Sequence, residues 1–384
     1  MKVMKTLALC LFIQLLGAAL LVLAVEAKTF VYVSCADDSE IAIMEINPDN
    51  GDLTLIEKVK TGKTVMPMAV SPDRRFLYAS IRSIPFSIAS YAINPGTGQL
   101  SHLSTVPLPD NMAYISTDKT GRFLFSASYA GHKISVNPIG DKGFVQAVPT
   151  QVINTGQHAH AVLSDTSNRF VFVPNLGVDQ VMQLVFDEKT GILTPNKPGF
   201  IKTKQAEGPR HFTFSPDSRF VYLLNELTGF VNVYAMDNQT GLLTEIQTIS
   251  SIPPGAYLIP GKPGPPIGGT NPPRKVDRPE IWASDIHITP DGRFVYTAER
   301  TGNSLSAFSV NGVTGKLTYI DSYDTEAQPR GIRIDPRGNF VIAAGQKSAH
   351  ASVYGINKAT GELKFLKRYR VGNDPNWIEI VEFP

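Results

Sequence analysis

Residues 208–226, GPRHFTFSPDSRFVYLLNE, decide how the rest of the sequence is interpreted. Two short apolar runs, residues 211–214 and 220–224, flank the polar segment 215–218. Proline and aspartate favour a tight reversal in that segment, and the aromatic and aliphatic residues on either side are typical of β-strands. The stretch therefore predicts two antiparallel strands joined by a tight turn.

The same pattern recurs along the whole chain. Further copies read SPDRRFLYAS from Ser71, STDKTGRFLFSAS from Ser116, SDTSNRFVFVPN from Ser164, TPDGRFVYTAE from Thr289 and DPRGNFVIAAG from Asp335. Including Phe30 near the start, the aligned phenylalanines are 46, 47, 47, 50, 74 and 46 residues apart. A glycine-containing turn such as GTGQLS or QTGLLT follows most copies. This period, with four short strands in each copy, predicts an all-β, seven-bladed β-propeller.

The two ends of the chain are predicted to close the ring together. Every later copy begins with a strand before its turn, whereas the copy at residues 29–35 has none. The missing strand is present at the other end of the sequence, as NWIEIVEF at residues 376–383. We expect it to complete the first blade, because closure removes the exposed strand edges of an open array.

The first 27 residues have the pattern of a secretory signal peptide. Two lysines precede an apolar run at residues 7–25, which ends in small residues suited to cleavage. An uncleaved anchor is the alternative, since the run is 19 residues long. In both cases we expect residues 28–384 to be exported, to the periplasm or beyond. Cleavage would remove Cys10 and leave Cys35 as the only cysteine of the mature chain, which excludes an intrachain disulfide there.

The composition argues against several classes of partner. The formal net charge is +2, so a nucleic-acid partner is not expected. No membrane span is expected after removal of the leader, and we expect a monomer. The repeat makes residues 28–384 one domain, interrupted by residues 253–280 with nine prolines and five glycines. This insertion predicts a loop without regular secondary structure, either an ordered flap or a flexible lid.

One face of the propeller is predicted to carry the function. The turns between the first and second strands, and between the third and fourth, hardly change from blade to blade. The opposite face, called the variable face here, carries the second-to-third loops and the connections between blades. These segments differ in every blade, as a binding site requires. On this face the second strands end at Arg82, Tyr129, Asn175, Asn225-Glu226, Glu299-Arg300 and Gln346-Lys347.

Several motifs resemble one enzyme family. GPRH at residues 208–211, NE at 225–226, WASDIHITPDGR at 282–293, QPRG at 328–331 and AAGQKS at 343–348 resemble those of the seven-bladed propeller lactonases of the bacterial 6-phosphogluconolactonase type. The same fold family includes the fungal carboxy-muconate lactonizing enzyme. The resemblance implies a catalytic set that corresponds by position to His158 or His160, Arg210, Glu226 and Arg300. The leader and the long insertion depart from the family pattern.

The chemistry of these residue types agrees with lactone opening. Such a reaction needs a base to activate water and a cation where negative charge develops on the carbonyl oxygen. We expect Glu226, His158 or His160 to be the base, and Arg210 and Arg300 to be the cations. Residues expected to bind a substrate phosphate or carboxylate, or to line the site, are His211, Asp285, His287, Arg330, Gln346 and Lys347.

Three functional alternatives remain at this point. The first is a lactone hydrolase that acts on a small anionic sugar lactone without a cofactor or a metal ion. The second is a lactonizing cyclase of the muconate type. The third is a non-catalytic exported propeller, in which Arg210 and Glu226 form only an ion pair between blades and Trp282 and Trp377 only pack. The cluster of His, Arg and Glu favours an enzyme, since binding propellers more often present aromatic or apolar residues.

Overall fold

The computed structural model describes residues 27–264 and 276–384, and they form seven four-stranded antiparallel sheets. Blade 1 contains β1 (Lys28–Cys35), β2 (Glu40–Ile46) and β3 (Leu53–Lys60), and blade 2 contains β4 (Val65–Val70), β5 (Phe76–Ile81), β6 (Ser87–Ile93) and β7 (Leu100–Pro107). Blade 3 contains β8 (Met112–Thr117), β9 (Phe123–Ser128), β10 (Lys133–Pro138) and β11 (Gln151–Asn154). Blade 4 contains β12 (Leu163–Ser164), β13 (Phe170–Asn175), the short 3₁₀ helix Leu176–Val178, β14 (Gln180–Asp187) and β15 (Ile192–Lys202).

The remaining strands continue the same order. Blade 5 contains β16 (Pro209–Phe214), β17 (Phe220–Asn225), β18 (Phe230–Met236) and β19 (Leu243–Ser250). Blade 6 contains β20 (Ala283–Ile288), β21 (Phe294–Glu299), β22 (Ser304–Val310) and β23 (Leu317–Asp324). Blade 7 contains β24 (Pro329–Ile334), β25 (Phe340–Gly345), β26 (His350–Ile356) and β27 (Leu363–Arg370), and β28 (Pro375–Phe383) follows it. The prediction of a seven-bladed propeller is confirmed.

The ring is closed by the last strand, as the sequence predicts. The sheet of blade 1 has the order β28-β1-β2-β3, so β28 occupies the inner position that β4 or β16 holds elsewhere. Phe30 lies opposite Val381, and Val31 lies opposite Ile380. The first and the last strand therefore share one sheet, and β1 is hydrogen-bonded along both of its edges.

The repeated turn is held by its own side chains. Ser215 Oγ donates to Asp217 Oδ1 over 2.7 Å and accepts the backbone N–H of Phe220 at 3.0 Å. Ser218 adopts the left-handed conformation with φ 53°, which reverses the chain. The strands on either side are one or two residues longer than predicted, since Pro209 and Asn225 also pair.

Each blade is joined to the next by a phenylalanine that packs on a glycine. A phenylalanine at or near the start of the second strand, such as Phe220, lies against a glycine in the turn between the third and fourth strands of the following blade, here Gly315. A Cβ at any of these seven glycines would lie within 2.2 to 2.9 Å of the ring, and each glycine has a positive φ. The pairs are Phe30–Gly98, Phe76–Gly143, Phe123–Gly191, Phe170–Gly241, Phe220–Gly315, Phe294–Gly361 and Phe340–Gly51.

The arginines of the repeated turn reinforce this junction. The Arg219 guanidinium lies 5.2 Å from the centre of the Phe220 ring, and its Nη2 donates to the carbonyl of Gly312 in the next blade over 2.8 Å. Arg122, Arg169 and Arg293 likewise donate to carbonyls of the following blade. These arginines stabilise the junctions between blades on the face opposite the variable face.

Blade 4 departs from the pattern on the variable face. Its inner strand pairs only at Leu163–Ser164, with one isolated bridge between Ala159 and Asn175. Pro174 on β13 has no N–H to donate to a ladder, although its carbonyl still accepts the N–H of His160 at 3.0 Å. The preceding backbone at His158 takes φ 62°. The segment from residue 157 to 162 is therefore a loop rather than the strand that the sequence predicts.

The described part of the insertion runs across the variable face. Residues 259–264, called the crossing segment here, begin where Ile259 bridges Glu280, and Gly261 N–H donates to the Leu227 carbonyl over 2.7 Å. At its end the carbonyl of Gly264 accepts the Tyr129 hydroxyl at 3.0 Å. The segment thus connects blade 5 to blade 3 above the channel. Residues 265–275, and the predicted leader apart from Ala27, lie outside the described residues.

In residues 27–264 and 276–384, no helix is long and apolar enough to span a membrane.

We predict that Gly315→Ala destabilises the protein by roughly 2–4 kcal/mol, because a Cβ would be strained at φ 71° and would meet the Phe220 ring. Gly312→Ala is the matched control in the same turn, where a Cβ meets nothing within 4 Å, and it should change the free energy of unfolding by less than about 0.5 kcal/mol. Urea denaturation of both variants measures the difference. Equal stability would contradict a role of the ring–glycine contact in joining blades.

Candidate active site

The centre of the site is the carboxylate of Glu226, at the end of β17. Its Oε2 accepts hydrogen bonds from Arg210 Nε at 2.7 Å and from Arg300 Nη2 at 2.8 Å. Its Oε1 accepts the indole N–H of Trp282 at 3.1 Å. Arg210 and Glu226 belong to blade 5, whereas in blade 6 Trp282 precedes β20 and Arg300 follows β21. One carboxylate therefore binds two blades together at the channel mouth.

The two arginines are held differently. Arg300 donates from Nε to the Trp282 carbonyl over 3.0 Å, and its guanidinium lies 3.7 Å from the centre of the indole ring. Arg210 is fully buried, and its Nη1 donates to the carbonyl of Ser284. Its Nη2 is buried and has no partner among the described residues. Arg210 therefore keeps donor capacity that the protein itself leaves unused.

Electrostatics keep Glu226 ionised. Burial raises the pKa of its carboxyl group, but the positive charges of Arg300 and Arg210 more than offset this, so the pKa lies below its usual value. Hydrogen bonding to the Trp282 indole acts in the same direction. At neutral pH the residue is a fixed anion that orients two cations.

A second buried carboxylate, Asp285 on β20, orients His211. Asp285 Oδ1 accepts from His211 Nδ1 at 2.8 Å, and Oδ2 lies 3.4 Å from His287 Nε2. Asp285 also accepts the backbone N–H groups of Ile286 and Ile332, both at 3.0 Å. Because an ionised carboxylate can only accept, the proton of neutral His211 resides on Nδ1. The other nitrogen, Nε2, is buried and has no partner in the described structure.

The charge states of this pair follow from their surroundings. Burial, and then the charge of Arg210, lower the pKa of His211 to about 3 in spite of Asp285. Burial alone would raise the pKa of Asp285, yet His287 and His211 hold it well below its usual value. The pair is therefore a carboxylate and a neutral imidazole at pH 7, with the lone pair of His211 on Nε2.

His158 and His160 lie beside this pair, against Tyr129. The His158 ring stacks on Tyr129 with 4.1 Å between ring centres, and its Nδ1 lies 3.0 Å from the Tyr129 carbonyl. His160 is buried edge-on to Tyr129 at 5.6 Å and to His211 at 5.1 Å. Burial and the charge of Arg210 lower the pKa of His160 well below its usual value. His160, rather than His158, contacts the Asp285–His211 pair.

The remaining candidates from the sequence are less tightly held. Arg330 is half-buried at the start of β24, and its guanidinium forms no hydrogen bond with any described residue. Gln346 Nε2 donates to Asp374 Oδ1 over 2.7 Å. Lys347 is exposed, and within the described ranges its side chain forms no hydrogen bond. The structure thus brings together Arg210, Glu226 and Arg300, but leaves Lys347 at the rim.

Two residues belong to the site although the sequence analysis gave them no catalytic or binding role. Trp282, expected only to pack, bonds Glu226 and lies under Arg300. Tyr129 contacts both His158 and His160. Arg82, buried at the end of β5 with Asn111 as its hydrogen-bond partner, lies outside this group and contacts none of its members. Tyr129 and Arg82 stand at the ends of second strands on the variable face, and this position is the feature of the sequence that indicates their place near the channel mouth.

The polar side chains at the site are mainly guanidinium and imidazole groups rather than the cluster of carboxylates that would bind a metal ion. In the described ranges no three His, Cys, Asp or Glu side chains are placed to hold one metal ion. The arrangement instead offers fixed N–H donors beside an oriented imidazole. That combination can stabilise an oxyanion and accept a proton from water.

Comparison with known proteins identifies the family. The family model described as "Lactonase, 7-bladed beta-propeller" matches residues 28–380. A 6-phosphogluconolactonase of Serratia proteamaculans is 39% identical over 304 residues, which cover 79% of this chain and 84% of that protein. A 6-phosphogluconolactonase of Photorhabdus laumondii is 39% identical over 305 residues, covering 79% and 84%.

Solved structures agree with this assignment. The periplasmic gluconolactonase of Pseudomonas aeruginosa is 26% identical with a TM-score of 0.80, covering 93% of this chain and 100% of that one. A structure from Bacteroides fragilis, at 22% identity and a TM-score of 0.81 over 93% and 99% of the two chains, shares the fold. The chain belongs to the seven-bladed β-propeller lactonase family, and it is a lactone hydrolase.

Proposed function

We propose that this protein opens a small anionic sugar lactone by adding water to its carbonyl carbon. The observation that carries the proposal is the arrangement of Arg210 and His211, which are neighbours on β16. Arg210 has a buried donor without a partner, and His211 has a buried acceptor without a partner. The charge of Arg210 lowers the pKa of His211, so the unused donor and the unused acceptor belong to one cluster, as water attack on a carbonyl requires.

The arginines supply the positive charge. As water attacks, negative charge develops on the carbonyl oxygen, where a hydrogen bond from Arg210 Nη2 stabilises it. Glu226 holds Arg210 and Arg300 in place before the substrate binds, so little reorganisation is needed during the reaction. Glu226 itself has two cations bonded to one oxygen, and its lowered pKa makes it a weaker proton acceptor. Its proposed role is therefore to position the arginines.

His211 supplies the base. Asp285 fixes the Nδ1–H tautomer, so that Nε2 can take the proton of the attacking water, and it stabilises the imidazolium that forms. The proton then passes to the ring oxygen of the lactone as the C–O bond breaks, which yields the hydroxy acid. His160, whose ring centre is 5.1 Å from that of His211, closes this side of the site.

Two further parts of the proposal concern substrate and location. Relatives named 6-phosphogluconolactonase and periplasmic gluconolactonase support a six-carbon sugar lactone. The signal-peptide pattern of residues 1–27 supports export of the mature chain.

Acid release from 6-phosphogluconolactone and from δ-gluconolactone by purified residues 28–384, corrected for spontaneous hydrolysis, tests the activity. Turnover of neither lactone would contradict the proposal.

Arg210→Met and Glu226→Gln should each lower kcat/KM by about 100-fold or more, because one loses the oxyanion donor and the other releases both arginines. Glu40→Gln is the matched control, since Glu40 is also buried and paired with a lysine at 2.6 Å but lies in blade 1, away from the site. Circular dichroism confirms folding of all three. Unchanged hydrolysis in both site variants would refute the assignment.

The pH profile should lack the acid limb of an ordinary histidine. Because the pKa of His211 is lowered to about 3, the free base persists as pH falls, and kcat/KM should stay level from about pH 7 to about pH 5. His211→Gln should abolish most of the activity over the whole range. A decline in kcat/KM with a midpoint near the ordinary imidazole value would mean that another histidine is the base.

A further inference from the structure

Arg82 is a buried cation that the proposed reaction does not use. It follows β5 in blade 2, and its side chain is 5% exposed. Its Nε donates to Asn111 Oδ1 over 2.5 Å, and its Nη1 lies 3.3 Å from the sulfur of Met66. Both partners are neutral, and no described carboxylate forms an ion pair with it. The protein therefore buries a guanidinium charge without neutralising it.

The surroundings of Arg82 increase this excess of positive charge. Burial, and then the charges of Arg330 and Arg210, lower the pKa of Arg82. Arg330 has no hydrogen-bond partner among the described side chains. Burial, and then the charge of Arg210, lower the pKa of Arg330 to about 10. Glu226 is already shared by Arg210 and Arg300. An unpaired buried charge is costly, and an anionic ligand would remove that cost.

The position of Arg82 in the ring places its charge opposite the reaction centre. The reaction centre uses Arg210 and Glu226 of blade 5 and Arg300 of blade 6. Blade 2 lies three blades from blade 5 in one direction around the ring and three blades from blade 6 in the other, so Arg82 faces the reaction centre across the channel mouth. Arg330 of blade 7 lies between them. A ligand that spans the mouth would have its carbonyl at one side and its other end at Arg82.

We propose that Arg82, oriented by Asn111 and assisted by Arg330, binds the anionic group of the substrate at the end remote from the lactone carbonyl. The chemical class is a phosphate monoester or a carboxylate, both of which accept paired N–H donors from a guanidinium. This inference rests on the proposed lactone hydrolysis. It makes Arg82 a residue that determines specificity for charge rather than a catalytic residue.

The test compares lactones with and without the anionic group. Arg82→Gln should lower kcat/KM for 6-phosphogluconolactone about 10- to 100-fold, mainly through KM, and leave neutral δ-gluconolactone unchanged. Arg82→Lys should recover only part of the loss, because lysine keeps the charge but not the fork. A monolactone of glucaric acid, which keeps a free carboxylate at the end remote from the lactone carbonyl, distinguishes recognition of a carboxylate from recognition of a phosphate. Lys189→Gln, an exposed charge removed from the opposite face, is the control for long-range attraction.

Binding of inorganic phosphate gives a readout that does not depend on turnover. Phosphate should raise the melting temperature of the wild-type protein and of Lys189→Gln, but not that of Arg82→Gln. Without phosphate, Arg82→Gln should melt no lower than the wild type, since the variant removes an unneutralised buried charge. A lower melting temperature would indicate a purely structural role and overturn the proposal.

The outcomes separate this proposal from the lactonase proposal. Equal losses on charged and neutral lactones, or no loss on either, would overturn the anion subsite and leave the hydrolase assignment intact. If neither lactone is hydrolysed, the hydrolase assignment fails, and the phosphate-dependent melting shift alone decides whether Arg82 binds an anion.

Discussion

Each blade is placed on the next by a phenylalanine ring that covers a glycine in the left-handed conformation. The contact recurs at all seven junctions, including the one from blade 7 back to blade 1, so it sets a common angle and distance around the ring. Only glycine fits, because the ring occupies the space where a Cβ would project. The two repeated sequence signals are therefore the two halves of one interface.

This constraint determines where functional side chains can lie. With one face of every blade committed to repeated turns, variation is confined to the other face, where inner strands begin and second strands end. Glu226 lies on this variable face and bonds residues of two adjacent blades. The ion network therefore also stabilises a junction between blades at the channel mouth. The cost of burying Arg210 and Arg300 is offset by one shared carboxylate and several backbone carbonyls.

Much of the fold could be predicted from the sequence, because the repeat is visible and each copy has its own turn chemistry. The position of Arg210, Glu226 and Arg300 on one face followed from their places at strand ends. Orientation could not be predicted in the same way. The contact between His160 and His211 follows the irregular backbone at His158, which no strand pattern reveals. Likewise, sequence cannot show that Arg82 lacks a carboxylate partner, since this depends on side chains from three blades.

The closure of blade 1 has a consequence for how the molecule is made. Synthesis delivers β1 first and β28 last, and residues as far apart as Ser34 and Asn376, which are 342 positions apart, bond in the finished sheet. The edge of β1 that faces β28 therefore stays unpaired until this nine-residue strand has been synthesised. The same strand places Trp377 beside His211, with 5.9 Å between ring centres. Completion of the ring and completion of the channel wall are thus a single event, and a chain that lacks β28 has neither.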